Sequence, residues 1–245
     1  FLFITLSSSL LTKPSVKKNV LFFPLQITNN DPFPIPLYDC FLSHLLSNDV
    51  SVHKSSGNIE KDCNIINNIL GTNETITLVS HSTGINNLLK VSNTFNNIID
   101  NVVLIDPILL KNKKDKFVFD EDMEDYINNL LESNKFDMVK DMIFNKDKQK
   151  KVDLSNADNL LYLYSKKSNN WKLIPPVPPI KRLFLDYNLI DNKNKKYREI
   201  AGFGHFDLLD QQFSDMVHKS VAKGCSNRED VCKYHELVTE KIIEQ

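Results

Sequence analysis

The chain has 245 residues, 41% of them hydrophobic, and its 30 basic and 31 acidic side chains leave a formal net charge of −1. That length suits one large α/β domain or two small ones, and the apolar fraction suffices for a proper core. The near-neutral balance excludes a surface built for electrostatic capture of nucleic acid or of an anionic membrane.

The first segment, FLFITLSSSLLT, is apolar for about a dozen residues, too short to span a bilayer and of signal-peptide size. Two readings stay open: the remnant of a signal or transit segment, which would make the protein secreted or organellar, or a first strand ended by Lys13 and Pro14. No other stretch is apolar enough to cross a bilayer, so no integral membrane span is expected. NVLFFPL (19–25) then reads as a short buried strand ended by Pro24, PLYDCFLSHLL (36–46) as a helix and VSVHKS (50–55) as a strand. IEKDCNIINNIL (59–70) has helical spacing, TITLVS (75–80) reads as a buried strand, GINNLLKVS as a helix and NVVLIDP (101–107) as another buried strand. Strands alternating with helices of about ten residues predict an α/β fold, with a mostly parallel central sheet covered on both faces.

From Lys111 to Asp158 the alternation stops. The segment is strongly charged, yet Met123, Tyr126, Ile127, Leu130 and Leu131 recur at helical intervals, which predicts either an inserted helical cap over a sheet edge or solvated helices with no gating role. Alternation returns with NLLYLYS (159–165), followed by the proline-dense loop IPPVPPI (174–180) and KRLFLDYNL. KYREIAGFGHFDLLD (196–210) reads as a short strand and a turn containing Gly202, Gly204 and His205, and a last helix runs through Leu237 and Ile242.

Four cysteines are present. Cys40 and Cys63 fall in predicted helices and read as buried small hydrophobes rather than as ligands. Cys225 and Cys232 enclose SNREDV, where a local disulfide would form in an oxidising compartment, and their spacing fits none of the usual zinc patterns. Asn73-Glu74-Thr75 is a glycosylation sequon, too short to establish secretion.

The chemistry centres on LVSHSTG (78–84), where a strand passes into a helix. A plain turn with Ser82 or Thr83 capping the helix is one reading. The other is a nucleophile elbow: Ser82 held in a strained turn, with small residues two before and two after it, here Ser80 and Gly84, because neighbouring chain passes close. The helix start would then offer the Thr83 N–H to a developing oxyanion. Such a serine needs a base late in the chain, and His205 in GFGHF stands on a loop after a strand. His44, His53, His218 and His235 fit less well, and His81, adjacent to Ser82, is expected to line the pocket. To orient the imidazole, Asp106 at the end of NVVLIDP is favoured, with Asp186 in reserve, since the loop after NLLYLYS holds no carboxylate. The second oxyanion donor would come from the loop after NVLFFP; Pro24 has no N–H, leaving Leu25 or Gln26.

Three stretches, SHSTG, LIDP and GFGHFDLLD, make the chain resemble the α/β-hydrolase superfamily, and within it the chlorophyllase group, over most of Val20 to Asp210. Ser80 stands where that pattern has glycine, and Pro24-Leu25 where it has His-Gly. The chain is expected to form a hydrolase core in two parts, 15–110 and 159–245, around the helical cap insertion at 111–158, where the charged segment diverges from the resemblance. The resemblance implies Ser82, Asp106 and His205 as nucleophile, acid and base, no metal or organic cofactor, and hydrolysis of the phytyl ester of chlorophyll. A small hydrophobic ester is the expected partner, with a lipid or pigment interface in view; Phe117, Phe119, Met123, Met142, Trp171 and the proline loop either shape an apolar pocket for it or, as the default reading, pack in the core. A general lipase or esterase, an acyltransferase using the same triad, and a catalytically inactive binding protein of this fold are the alternatives.

Overall fold

The computed structural model describes residues 17–25, 37–72, 74–95, 99–109, 151–169, 184–210, 212 and 228–245. The N-terminal apolar segment, Gln26, Asn73, residues 111–150 of the expected insert, Trp171, the IPPVPPI loop, His218 and Cys225 lie outside them.

The elements in chain order are β1 (Lys18–Phe23), α1 (Asp39–Leu46), β2 (Ser51–Lys54), α2 (Ile59–Leu70), β3 (Thr75–His81), α3 (Ile85–Thr94) and β4 (Ile99–Ile105). They continue with β5 (Val152–Asp153), β6 (Ala157–Ser165), β7 (Ile190–Asp191), β8 (Lys195–Ile200) and α4 (Arg228–Ile243). Six strands form one sheet in the order β2-β1-β3-β4-β6-β8, and every pairing in it is parallel. The expected parallel α/β architecture is borne out. Within the span read as an insert, residues 151–158 hold β5, a turn and the start of β6, and β5 pairs with β7 in a separate two-stranded ribbon.

Side-chain alternation along the strands builds a core on each face of the sheet. Val20 and Phe22 of β1, Val79 of β3 and Val103 of β4 join Phe41 and Leu45 of α1 and Tyr234, Val238 and Ile242 of α4. Leu21 and Phe23, Leu78, and Val102 and Leu104 face the other way, against Ile66 and Ile69 of α2 and Ile85, Leu88 and Val91 of α3. The central strands are buried on both faces, which is why they read as continuous apolar runs. The edge strand β8 is the exception, since KKYREI is largely exposed and its charges shield an open edge.

The chain leaves β1 for β2 on one side, then crosses back to place β3 on the other side of β1. At such a reversal the loops leaving the two neighbouring strands splay apart and open a crevice beyond their carboxyl ends. Pro24 and Leu25 after β1 and the Ser82 turn after β3 stand at these carboxyl ends.

Candidate active site

Ser82 follows the last residue of β3 and has φ 55°, a left-handed conformation that is costly for a residue with a Cβ. A short 3₁₀ turn, Ser82–Gly84, leads straight into α3. The strain is held in place by close packing: a Cβ on Gly84 would lie 2.2 Å from the Phe23 carbonyl oxygen and 2.6 Å from that of Pro24. Only glycine lets the end of β1 pass so near the elbow. Ser80 pairs in register with Phe23 and is fully buried, and its hydroxyl has no hydrogen-bond partner among the described residues. A small side chain is what that position requires; its oxygen is not used.

On the adjacent strand, Asp106 follows the last residue of β4 and also has a positive φ, 43°. His81 and Ile105 are register partners, so the two left-handed residues leave neighbouring strand ends side by side. The Ser82 carbonyl accepts from Ile108 N–H at 3.0 Å, and Asp106 N–H donates to the Leu163 carbonyl at 3.0 Å. These bonds tie the two turns together and to β6.

His205 opens a 3₁₀ turn, His205–Leu208, after β8. Gly202, at φ 91°, supplies the left-handed step that reverses the chain, whereas Gly204 has φ −121° and needs no such freedom. Asp207 folds back so that its carboxylate accepts the Gly204 N–H at 2.6 Å. Lys167 N–H, in the loop after β6, donates to the Phe203 carbonyl at 2.7 Å. Held in this way, His205 Nε2 lies 2.9 Å from Ser82 Oγ, and its Nδ1 lies 3.7 Å from Asp106 Oδ2. Ser82, Asp106 and His205 are all buried. With Nε2 accepting the serine proton, Nδ1 carries the imidazole hydrogen and faces the carboxylate.

The structure thus brings Ser82, Asp106 and His205 together. Asp186 goes elsewhere: it is exposed, and it accepts the Asn188 N–H and side-chain amide within its own turn. Asp106 Oδ1 accepts Ser165 N–H at 2.8 Å and Oδ2 accepts the Ser168 hydroxyl at 2.9 Å. Both donors lie at the end of β6 and in the loop after it, the loop that lacks a carboxylate. Sequence reasoning missed Ser168, although a loop without an acid beside a strand ending in one is a signal for donors.

Two expectations are corrected. Leu25 N–H donates to the Tyr38 hydroxyl at 3.0 Å, so it is already engaged and does not stand open to an oxyanion; Gln26 lies outside the described residues. His81, expected to line the pocket, is closed in on both sides. It is fully buried, with Nδ1 2.7 Å from the Tyr38 hydroxyl and Nε2 3.0 Å from the His205 carbonyl. A carbonyl can only accept, so Nε2 donates and Nδ1 accepts from Tyr38. Burial pushes the tyrosine pKa well up, which keeps its proton in place. Burial and the nearby His205 push the His81 pKa well down, only partly opposed by the His205 carbonyl. A single directed chain therefore runs from Leu25 N–H through Tyr38 and neutral His81 to the backbone of His205. Cys40 and Cys63 are only half-buried, so neither is a simple core hydrophobe. Cys232 forms no disulfide among the described residues, and Cys225, its expected partner, lies outside them. Among the described residues, no helix is long and apolar enough to cross a membrane.

No protein-family model and no curated protein matches the chain. Among solved structures it is similar to a metagenomic carboxyl esterase at 10% identity and a TM-score of 0.51, over 94% of this chain and 77% of that one. It is also similar to the monoacylglycerol lipase of Paleococcus ferrophilus, at 15% identity and a TM-score of 0.43 over 92% of this chain and 94% of that one. A third likeness is to the thioesterase domain that cyclizes the lipopeptide antibiotic surfactin, at 12% identity and a TM-score of 0.41 over 94% and 92%. The fold is that of the α/β hydrolases. Likeness at 10% identity speaks for the fold alone.

Proposed function

We propose that the protein is a serine-dependent carboxylic-ester hydrolase with Ser82 as nucleophile, His205 as base and Asp106 as the acid that orients it. The observation that carries this reading is the 2.9 Å contact between Ser82 Oγ and His205 Nε2, made by a serine strained into a left-handed turn at the crevice. In the reaction, Ser82 Oγ attacks the ester carbonyl carbon as His205 Nε2 takes its proton. The tetrahedral intermediate collapses, the carbon–oxygen bond to the alcohol breaks, and the alcohol leaves with the proton from His205. Water then attacks acyl-Ser82, giving its proton to His205, and the acid departs as the serine oxygen is reprotonated. Asp106 stabilises the transient imidazolium. The Thr83 N–H and a backbone N–H at Gln26 are the proposed oxyanion donors.

Within that class, the resemblance of SHSTG, LIDP and GFGHFDLLD to chlorophyllases makes a long-chain or pigment ester the first substrate to try. Part of the last motif also has a structural use: Asp210 accepts the N–H groups of Asp39 and Cys40 and so starts α1. The test is reaction with a fluorophosphonate and location of the adduct by peptide mass. Adduct at Ser82, and loss of esterase activity on the order of 10³-fold or more in Ser82→Ala, is expected. A folded protein that is neither labelled nor active would be a binding protein on a hydrolase fold. A series of esters of rising chain length separates a pigment or lipid esterase from one preferring short acyl groups.

A further inference from the structure

On the face of the sheet covered by α1 and α4, away from the crevice, three soft or borderline ligands meet. Cys40 and His44 stand four residues apart on α1 and so share one face of it. His235 comes from α4, its ring 6.0 Å from that of His44. The ligand atoms of Cys40, His44 and His235 all lie within 4.8 Å of one another.

His235 is fully buried, and its two nitrogens are unequal. Nε2 lies 3.0 Å from the Asp207 carbonyl oxygen, so it must carry the hydrogen. Nδ1 is then a bare lone pair, and it is buried with no hydrogen-bond partner among the described residues. A buried acceptor without a partner carries a desolvation cost that natural structures seldom leave uncompensated. An imidazole with one nitrogen donating to a backbone carbonyl and the other bare, beside a second imidazole and a thiol, is the arrangement a metal-bound histidine adopts.

The geometry points to a zinc site formed by Cys40, His44 and His235, with a fourth position left to solvent. The donor set is one sulfur and two imidazole nitrogens, which favours a borderline-soft ion over magnesium or calcium. Tetrahedral zinc at ordinary bond lengths separates such donors by about 3.5 Å, so closure takes small rotations of the half-buried Cys40 and His44 side chains. Binding would convert the Cys40 thiol to thiolate and release its proton. The ion would fasten α1 to α4. Through the His235 bond to the Asp207 carbonyl, it would also brace the turn that begins with His205. In this proposal the ion acts by bracing these elements and takes no part in the proposed chemistry at Ser82.

The test uses the full chain, stripped with a chelator and titrated with Co²⁺ as a spectroscopic stand-in for Zn²⁺. One equivalent should produce a thiolate-to-cobalt charge-transfer band, Zn²⁺ should abolish it, and saturating Zn²⁺ should raise the melting temperature. In Cys40→Ser the charge-transfer band should vanish, and in His44→Ala the affinity should fall at least about tenfold, since ligand loss costs no less than loss of an outer-shell partner. His44→Ala puts a strong helix former at a half-buried position, and a native far-UV circular dichroism spectrum checks that it folds. Absence of a charge-transfer band in the folded wild type overturns the proposal. So does a band that survives undiminished in Cys40→Ser, which would place the metal on another cysteine.

Discussion

Ser168 donates its hydroxyl to Asp106 Oδ2 at 2.9 Å, while Ser165 N–H donates to Oδ1 of the same carboxylate at 2.8 Å. The buried acid that faces His205 thus comes from the end of β4, and the loop after the next strand supplies what holds it. With both oxygens engaged, the carboxylate is oriented before any charge develops on the imidazole, at no cost in reorganisation during the reaction.

Ser168→Ala removes one of the two donors and leaves a buried carboxylate oxygen short of a partner. A hydrogen bond to a charged group contributes about 1.5–3 kcal/mol, which corresponds to a fall in kcat of about ten- to a hundredfold if Asp106 orients the base. KM should change little, and Ser168→Thr, which keeps the hydroxyl, should recover most of the rate. Steady-state kinetics on a model ester decides. Equal activity in all three proteins would remove Asp106 from the proposed mechanism.

The two small residues flanking Ser82 should respond in opposite ways. Gly84→Ala puts a methyl group 2.2 Å from the Phe23 carbonyl oxygen, a contact with backbone that rotation of a side chain cannot relieve. Loss of at least about 2 kcal/mol of stability, together with loss of activity, is expected as the elbow and the end of β1 are forced apart. Ser80→Ala instead deletes a buried hydroxyl without a partner, so stability should be unchanged or rise by up to about 1 kcal/mol. Urea denaturation of both variants measures the contrast; a severe cost for Ser80→Ala would mean that its hydroxyl has a role the packing does not show.

How far the sequence could be read follows from where each group finds its partners. Strands β1, β3, β4 and β6 are buried on both faces, so their apolar runs are legible within a residue or two. The two-residue β5 and β7 carry no such pattern, because their pairing is set by the surrounding fold. Ser82 and His205 were legible as site candidates because strand, turn and glycine spacing are local. Tyr38 was not, since nothing near it in sequence says that its hydroxyl joins Leu25 to His81. The partners of His81 were hidden for the same reason, since Tyr38 and the His205 carbonyl, which engage its two ring nitrogens, lie 43 and 124 residues away.

Tyr38→Phe tests the chain from Leu25 to His205. It strands Leu25 N–H and His81 Nδ1 together, and about 2 kcal/mol of stability should be lost. Tyr38 is a positioning residue, acting on the loop after β1 and on the backbone of His205. Activity should therefore fall about tenfold through kcat, while reaction with the fluorophosphonate at Ser82 persists at a reduced rate. A variant as stable and as active as the wild type would reduce the contact to incidental packing.

The last expectation concerns acid. His81 is enclosed by the Tyr38 hydroxyl on one side and by the ring and carbonyl of His205 on the other, and its pKa is held well below the ordinary value, first by burial and then by His205. Unfolded, the same histidine takes up a proton below about pH 6.5. The unfolded chain then binds the proton that the folded chain refuses, so stability is complete above that pH and falls as the pH drops through it, by up to about 1.4 kcal/mol per unit. Protonation would also reverse the bond from Tyr38, since a charged imidazole has no lone pair left to accept it. Urea denaturation of the wild type between pH 7.5 and 5 should show this loss, and His81→Gln, which cannot titrate, should show a shallower slope. Parallel slopes in the two proteins would mean that His81 is not the group refusing the proton.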